Sequence, residues 1–391
     1  MTDTGDFIDL DNEEEVEDLE NNAEDMVYYM QKPFYFPIRI GMLLNQKYRI
    51  VHKLGHGTFS TVWMARNTVT GESFAVKVPT ITSHTAGKEL AINNDIGRDV
   101  MDRSCLSLYV DSFTLVWRGY TLTFLVFPLR GPSLRSGFAS MNKRVQMSMV
   151  KQLLQALEAL HDAGFVHGDL NSKNVLCGIH PLEAYDTQGI YGKLGRPKKD
   201  LVQTEAGVAE IVRPAVFPPD LLNGSVYIAD FGISIRSGTP VTCAVQSPAG
   251  FCAPERFHNS SPTAASDIWS YMCIFTELYF GTLLWSSDGD VLGEIVSILG
   301  PLPQNWLGHH YEGNAVPKIW YDPRIRPANI RTEEVFNNLI KYLRRDVTDE
   351  EVALVRTFML KVFCYYPTQR LTATELLSDS SFRKFLRLYG V

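Results

Sequence analysis

The 391 residues are 45% hydrophobic, more chain than one domain of about 100–200 residues needs and enough to bury a core, which excludes a wholly disordered protein. Six cysteines without a Cys-x-x-Cys pair exclude a disulfide scaffold and a zinc ribbon and point to a reducing, intracellular compartment. The net charge of −7 hides an imbalance, because residues 1–31 hold twelve acids and no Lys or Arg, leaving 32 acids against 37 bases in the rest.

In chain order, that acidic block self-repels and reads as a disordered tail over 1–31 without a secretory signal. Short β-branched and aromatic runs at Tyr48 to Gly55, Thr61 to Ala65 and Ser73 to Val78 predict antiparallel strands. A helix is expected near His84 to Asn94, then strands at Leu106 to Val116 and Thr121 to Phe127. Val145, Met149, Leu153, Leu157 and Leu160 recur at helical spacing and predict a helix over Val145 to Asp162. The segment between Cys177 and Val226 is rich in Gly, Pro and polar residues and reads as a surface insertion, with Arg196-Pro197-Lys198-Lys199 as a weak basic patch. Further helices are expected at Ser266 to Tyr279, Gly289 to Leu299, Glu333 to Leu343, Asp349 to Phe363 and Thr372 to Leu377. The most apolar stretch, Met272 to Trp285, is broken by Glu277, so no membrane span is expected.

Leu54-Gly55-His56-Gly57-Thr58-Phe59-Ser60-Thr61-Val62 falls between two strands. Glycines there allow close backbone approach and positive φ, and N–H groups of such a turn can cover triphosphate oxygens. Hairpins also use glycine for structure alone. Phe74-Ala75-Val76-Lys77 follows, and a lysine closing an apolar strand needs an anion. Glu89 and the α/β-phosphates of a nucleotide are the expected partners. Taken singly, Lys77 also reads as an exposed strand lysine.

Val166-His167-Gly168-Asp169-Leu170-Asn171-Ser172-Lys173-Asn174-Val175-Leu176 follows the long helix. In it Asp169 can accept the proton of a substrate hydroxyl, and Asn174 can ligate a divalent ion. Val226-Tyr227-Ile228-Ala229-Asp230-Phe231-Gly232 places a second carboxylate after an apolar strand, suited to a metal that bridges phosphates. Each Asp alone also reads as a turn or cap residue; four such elements in this order do not.

Together these segments resemble a eukaryotic protein kinase over about Tyr48 to Phe385. Ala253-Pro254-Glu255 is similar to the motif closing the activation segment. Asp267 in Ser266-Asp267-Ile268-Trp269-Ser270 resembles the buried Asp that orders the catalytic loop, and Arg370 the late arginine that pairs with Glu255. Ile38-Arg39-Ile40-Gly41, the loop from Lys53 to Trp63 and the long spacer between Asn174 and Asp230 resemble the SR-protein kinases more closely. Leu292-Gly293-Glu294-Ile295 through Pro303 resembles the inserted helices of the wider group that also holds the cyclin-dependent and MAP kinases.

The resemblance implies an α+β, two-lobed protein kinase fold. A small β-rich N-lobe with hinge would span 32–130 and a larger, mostly α-helical C-lobe 131–391, with the spacer at 178–225. It implies ATP and Mg2+ as cofactors. Asp169, Lys173, Lys77 and Asn174 would be catalytic, and Asn174 and Asp230 would hold the metal. Leu54, Gly55, His56, Gly57, Thr58, Phe59, Ser60, Val62, Ala75, Lys77 and Glu89 would surround the nucleotide, with Phe127 as gatekeeper and Pro128 and Arg130 as hinge. His167, Asp267, Glu255 and Arg370 would be structural.

Four departures stand out. Gly168 replaces the Arg that pairs with a phosphorylated activation loop, which implies activity without that phosphate. Asn171 replaces a lysine that steadies the transferring phosphoryl group, a task expected of Lys173 instead. Pro248 stands where Ser/Thr kinases usually have Thr, and Cys252 where the nearest relatives have Arg.

The expected activity is transfer of the ATP γ-phosphoryl group to serine or threonine hydroxyls in Arg-Ser-rich, splicing-type proteins. Asp288, Asp290 and Glu294 are candidate docking acids. A pseudokinase scaffold and a small-molecule phosphotransferase of the aminoglycoside or choline kinase type are the alternatives. A cytoplasmic or nuclear monomer, touching neither nucleic acid nor membrane, is expected.

Overall fold

The computed structural model describes residues 4–9, 11–14, 35–57, 59–83, 86–137, 141–204, 207–241, 247–258, 260–285, 290–307 and 330–391. The early strands are β1 (Asp6–Phe7), β2 (Leu43–Leu44), β3 (Tyr48–Gly57), β4 (Ser60–Asn67) and β5 (Ser73–Pro79). Then come α1 (Ala86–Asp99), β6 (Asp111–Trp117), β7 (Tyr120–Pro128), α2 (Leu134–Gly137), α3 (Lys143–Asp162), β8 (Phe165–Val166) and β9 (Val175–Ile179). The middle of the chain holds α4 (Thr187–Leu194), β10 (Lys198–Thr204), β11 (Gly207–Val212), β12 (Leu222–Ile228) and β13 (Ile235–Arg236). The rest is helical: α5 (Ala264–Phe280), α6 (Val291–Leu299), α7 (Thr332–Leu343), α8 (Asp349–Val362), α9 (Ala373–Ser378) and α10 (Ser380–Leu388).

Contacts divide the chain into two compact units. The first is Met1–Asn94, Ser107–Pro132 and Cys177–Asn223; the second is Asp95–Leu106, Ser133–Leu176 and Gly224–Val391.

The first unit is built on a six-stranded antiparallel sheet in the order β2-β3-β4-β5-β7-β6. Alternation along its strands assigns the faces. Trp63 and Ala65 on β4, Val76 and Val78 on β5, and Phe124 and Val126 on β7 turn to one side, into a cluster that also takes in Phe36, Ile38 and Ile40. The stacked Phe113 and Phe124 rings, 5.0 Å apart, lie in it. Val62, Ala75, Lys77 and Phe127 alternate with these core positions and are only partly buried. Register sets Val62 opposite Lys77 and Ala75 opposite Phe127.

The spacer differs most from expectation. Its Gly and Pro content suggested a surface insertion on the second half of the chain, yet residues 177–223 belong to the first unit and fold. Asp186 caps α4 by accepting the Gly189 N–H at 2.8 Å. Ile190, Tyr191 and Leu194 then fall on one face and pack with Leu182 and Leu221 against Val51 and Met64 of the main sheet. The Tyr191 hydroxyl donates to the Val51 carbonyl at 3.2 Å, and the Ala215 N–H to that of Lys53 at 2.8 Å. Apolar residues this sparse reveal no period until the surface they cover is known.

The acidic tail departs from expectation at its start. β1 pairs in parallel with β10, which continues into β11, and Arg196 reaches Asp6 at 2.9 Å. Glu210 on β11 receives Lys199 at 2.9 Å and the Ile40 N–H at 3.1 Å. Residues 15–34 lie outside the described residues.

The second unit is helical. Asn142 caps α3 through the Val145 N–H at 3.0 Å. A Thr263–Ser266 capping box starts α5, and Gly281 at φ 80° ends it. α5 is buried from Ser266 to Tyr279, with the Trp269 and Trp285 rings stacked 5.9 Å apart. Phe358 and Phe385 pack on Phe275 edge to face. Smaller differences are boundaries: the strand expected from Leu106 starts at Asp111, and the helix expected from Gly289 is described from Val291, capped by Asp290. His84 and Asp288 lie outside the described residues. Among those residues no helix is long and apolar enough to cross a membrane.

Buried His52 generates a pH prediction. Burial pushes its imidazole down to about 4 from 6.5. The unfolded chain therefore takes up the proton first, and stability falls as pH drops from about 6.5 toward about 4. Denaturant unfolding at pH 7 and pH 4.5 should show a loss of about 2–3 kcal/mol from this group, absent in His52→Leu.

Candidate active site

The first group of functional side chains lies in the first unit. Lys77 ends the apolar stretch of β5, and Glu89 sits in the first turn of α1. The Lys77 ammonium donates to both Glu89 oxygens at 2.8 Å. The carboxylate is almost wholly buried, while the lysine side chain stays 20% exposed, so its charge is held but still reachable. Such a cation suits a second anion.

The glycine turn joins β3 to β4, with Gly55 opposite Val62 and Gly57 opposite Ser60. Neither glycine has positive φ, which corrects the expectation of a left-handed turn. What they provide is room: a Cβ added at either would meet nothing within 4 Å. The turn is tied by the Tyr35 hydroxyl on the Gly57 carbonyl at 3.2 Å and the Thr80 N–H on that of Phe59 at 2.9 Å. Phe59 is exposed, and Leu54 and His56 are partly buried. Leu129, between Pro128 and Arg130, packs against the spacer cluster. Thr58 lies outside the described residues.

The second group lies in the second unit and begins with Asp267 in the first turn of α5. Its buried carboxylate accepts the N–H groups of His167 at 2.7 Å and Gly168 at 2.9 Å, and faces His161 Nε2 at 3.0 Å. The loop over α5 is thereby fixed by its main chain. His167 turns its ring to Phe231, with Nε2 3.1 Å from the Ala229 carbonyl. Gly168 has φ +80°, a left-handed conformation that a side chain strains.

Asp169 is gripped from both sides. Asn171 Nδ2 donates to Asp169 Oδ1 at 3.0 Å, and Asn174 Nδ2 to Oδ2 at 2.9 Å. Both amides also bond the Asp169 carbonyl, at 3.0 and 2.8 Å. Asn171, which the sequence showed only as a lost lysine, is therefore a donor that fixes the carboxylate, and its Oδ1 accepts the Lys173 N–H at 3.0 Å. Burial pushes the Asp169 carboxyl above the usual range, with the Asp230 charge adding to the effect and His167, Ser247 and Asn174 opposing it. A carboxylate so raised is a better proton acceptor. Lys173 is exposed.

Asp230 has φ 62°, an uncommon value for a residue with a side chain. The Ala229 N–H beside it donates to the Asn174 carbonyl at 2.8 Å, tying the two chain segments together. With its amide nitrogen on Asp169, Asn174 would offer Oδ1, and Asp230 its carboxylate, to a divalent cation. Among the described residues no three His, Cys, Asp or Glu side chains converge on a metal site. Two oxygen donors from the chain, with water and phosphate completing the shell, suit Mg2+.

Glu255 and Arg370 form a buried, bidentate pair at 2.6 Å on each arm. The guanidinium also donates to the Cys364 carbonyl and lies over the Trp269 ring. Cys252 is buried, and burial drives its thiol far above the usual range, so it presents no charge at the surface. Arg236 on β13 pairs with Asp99 at 2.5 Å, a surface link that sequence reasoning missed for want of any local signal.

A family model described as a protein kinase domain matches residues 48–382. The chain is 26% identical to a serine/threonine-protein kinase SRPK of Physarum polycephalum, over 92% of this chain and 91% of that one. It is 26% identical to the dual specificity protein kinase lkh1 of Schizosaccharomyces pombe over 85% of this chain, spanning only 46% of that protein. A solved kinase domain superposes with a TM-score of 0.62 at 21% identity, covering 89% of this chain and 99% of its own, a likeness of fold.

The left-handed Gly168 generates a prediction: Gly168→Ala should cost about 1–2 kcal/mol in denaturant unfolding, although a Cβ there meets only ordinary contacts at 3.7 Å. An unchanged midpoint would show that the loop relaxes.

Proposed function

This chain belongs to the protein kinase family, with a domain of the serine/threonine class, and on that premise we propose that it transfers the γ-phosphoryl group of ATP to serine or threonine hydroxyls in Arg-Ser-rich protein segments. The observation that carries the chemistry is the grip of Asn171 and Asn174 on the Asp169 carboxylate. That carboxylate is raised by burial, and it takes the proton from the acceptor hydroxyl as the oxygen attacks. Lys77, oriented by Glu89, holds the α- and β-phosphates. Asn174 and Asp230 would hold Mg2+, which would supply positive charge to neutralise the phosphates. Lys173, exposed near the base, supplies the cation that Asn171 no longer offers.

The Arg-Ser preference is supported by the Physarum relative, whose match extends over nearly the whole of both chains, and by the spacer's position between Asn174 and Asp230. Asp290 caps α6 by accepting the Gly293 N–H at 2.9 Å, and Glu294 lies in the first turn of that helix; these two are the described docking candidates. We place the enzyme where Arg-Ser-rich proteins occur, in cytoplasm and nucleus.

Two measurements test the reading. With Mg·ATP and an Arg-Ser repeat peptide, Asp169→Asn should lower phosphoryl transfer about 10²–10⁴-fold. Wild-type transfer to other Ser/Thr peptides but not to this one would remove the substrate assignment and leave the reaction. Turnover of this peptide unaffected by Asp169→Asn would remove the base. Separately, Lys173→Ala should lower kcat at least tenfold with KM for ATP little changed. An unchanged kcat would show that Lys173 leaves the transferring group alone.

A further inference from the structure

The resemblance implies that an arginine at position 168 would read a phosphate on the activation segment, and glycine has no side chain for that task. The main chain of Gly168 makes a different connection. Its left-handed φ of +80° accompanies an N–H that is fixed on Asp267 at 2.9 Å. Its carbonyl accepts the Ser247 hydroxyl at 3.0 Å.

Ser247 lies two residues before the short helical turn Ala249–Phe251, which leads into Ala253-Pro254-Glu255. The far end of that turn is already anchored, because the Ser270 hydroxyl on α5 donates to the Phe251 carbonyl at 2.7 Å. Glu255 beyond it is locked on Arg370. The near end is joined to the catalytic loop through Ser247. The following residue is Pro248, which has neither a hydroxyl nor an N–H for this purpose.

We propose that Ser247 is a positioning residue whose hydroxyl, through the Gly168 carbonyl, latches the end of the activation segment onto the catalytic loop, a neutral hydrogen bond in place of an arginine–phosphate pair. The inference rests on the protein kinase reading above and adds how this chain keeps that segment in place. A neutral bond of this kind is permanent, whereas a phosphate pair is switched. The latch therefore makes the active arrangement the resting one.

The test uses the full chain, with Mg·ATP and the Arg-Ser repeat peptide, and compares wild type, Ser247→Ala and Ser247→Thr. Amide hydrogen exchange is followed in parallel over residues 163–176 and 247–256. Ser247→Ala should lower kcat about five- to tenfold, the worth of one neutral hydrogen bond, with KM for ATP unchanged. It should also speed exchange over 247–253. Ser247→Thr keeps the hydroxyl and should restore both, and phosphatase treatment should leave the wild type as it was. The proposal falls if Ser247→Ala matches wild type in kcat and exchange, if threonine fails to restore them, or if phosphatase abolishes wild-type transfer. Should the wild type transfer no phosphate to any peptide, the protein kinase reading fails. Exchange then decides the latch by itself, which stands if Ala loosens 247–253 while Thr does not, and falls otherwise.

Discussion

One buried carboxylate organises the second unit. Asp267 is almost fully excluded from solvent, at the start of a helix that is itself buried for most of its length. An unpaired charge there would be very costly, so the structure must deliver donors to it. It delivers the successive N–H groups of His167 and Gly168 and the ring of His161. Those bonds dictate the path of the loop. Two adjacent amides aimed at one carboxylate require an abrupt bend, and Gly168 accommodates it with a left-handed backbone. The bend then places Asp169 between Asn171 and Asn174.

The same logic governs the other charged groups. Lys77 with Glu89 and Arg370 with Glu255 are pairs with at least one partner deeply buried. Forming such a pair yields little net stability, since desolvation offsets much of the attraction, but removing one partner strands the other at a cost of about 3–5 kcal/mol. They act as constraints on geometry more than as sources of stability. The bidentate Arg370 fork leaves Glu255 almost no rotational freedom. The protein kinase fold here is held in register by a few charges that have nowhere else to go.

The spacer and the start of the acidic tail extend this arrangement in the first unit. The spacer's helix covers one side of the main sheet through Val51 and Met64, while its strand β10 gives β1 a partner. Asp6 meets Arg196, and Glu210 collects both Lys199 and the backbone of Ile40. What composition describes as a charged tail and a polar insertion thus converges, in part, into one small sheet.

The residue types and order of the candidate catalytic groups could be read from the chain, because each lies in a short motif whose spacing reflects local backbone geometry. The strands of the main sheet and the long helices were legible for the same reason, since a period of two or 3.6 shows within a few residues. Three features were not. Asn171 looked like the loss of a lysine, and only the folded loop shows that it bonds Asp169. Gly55 and Gly57 looked like left-handed turn residues, and the hairpin keeps them extended. The spacer looked like a surface loop, and its few apolar residues acquire meaning only against Val51 and Met64, more than a hundred positions earlier. Amino-acid order alone determined which chemistry the chain can perform. The tertiary structure decided which group holds which, because hydrogen-bond partners distant in sequence are chosen by where the backbone brings them and leave no local pattern to read.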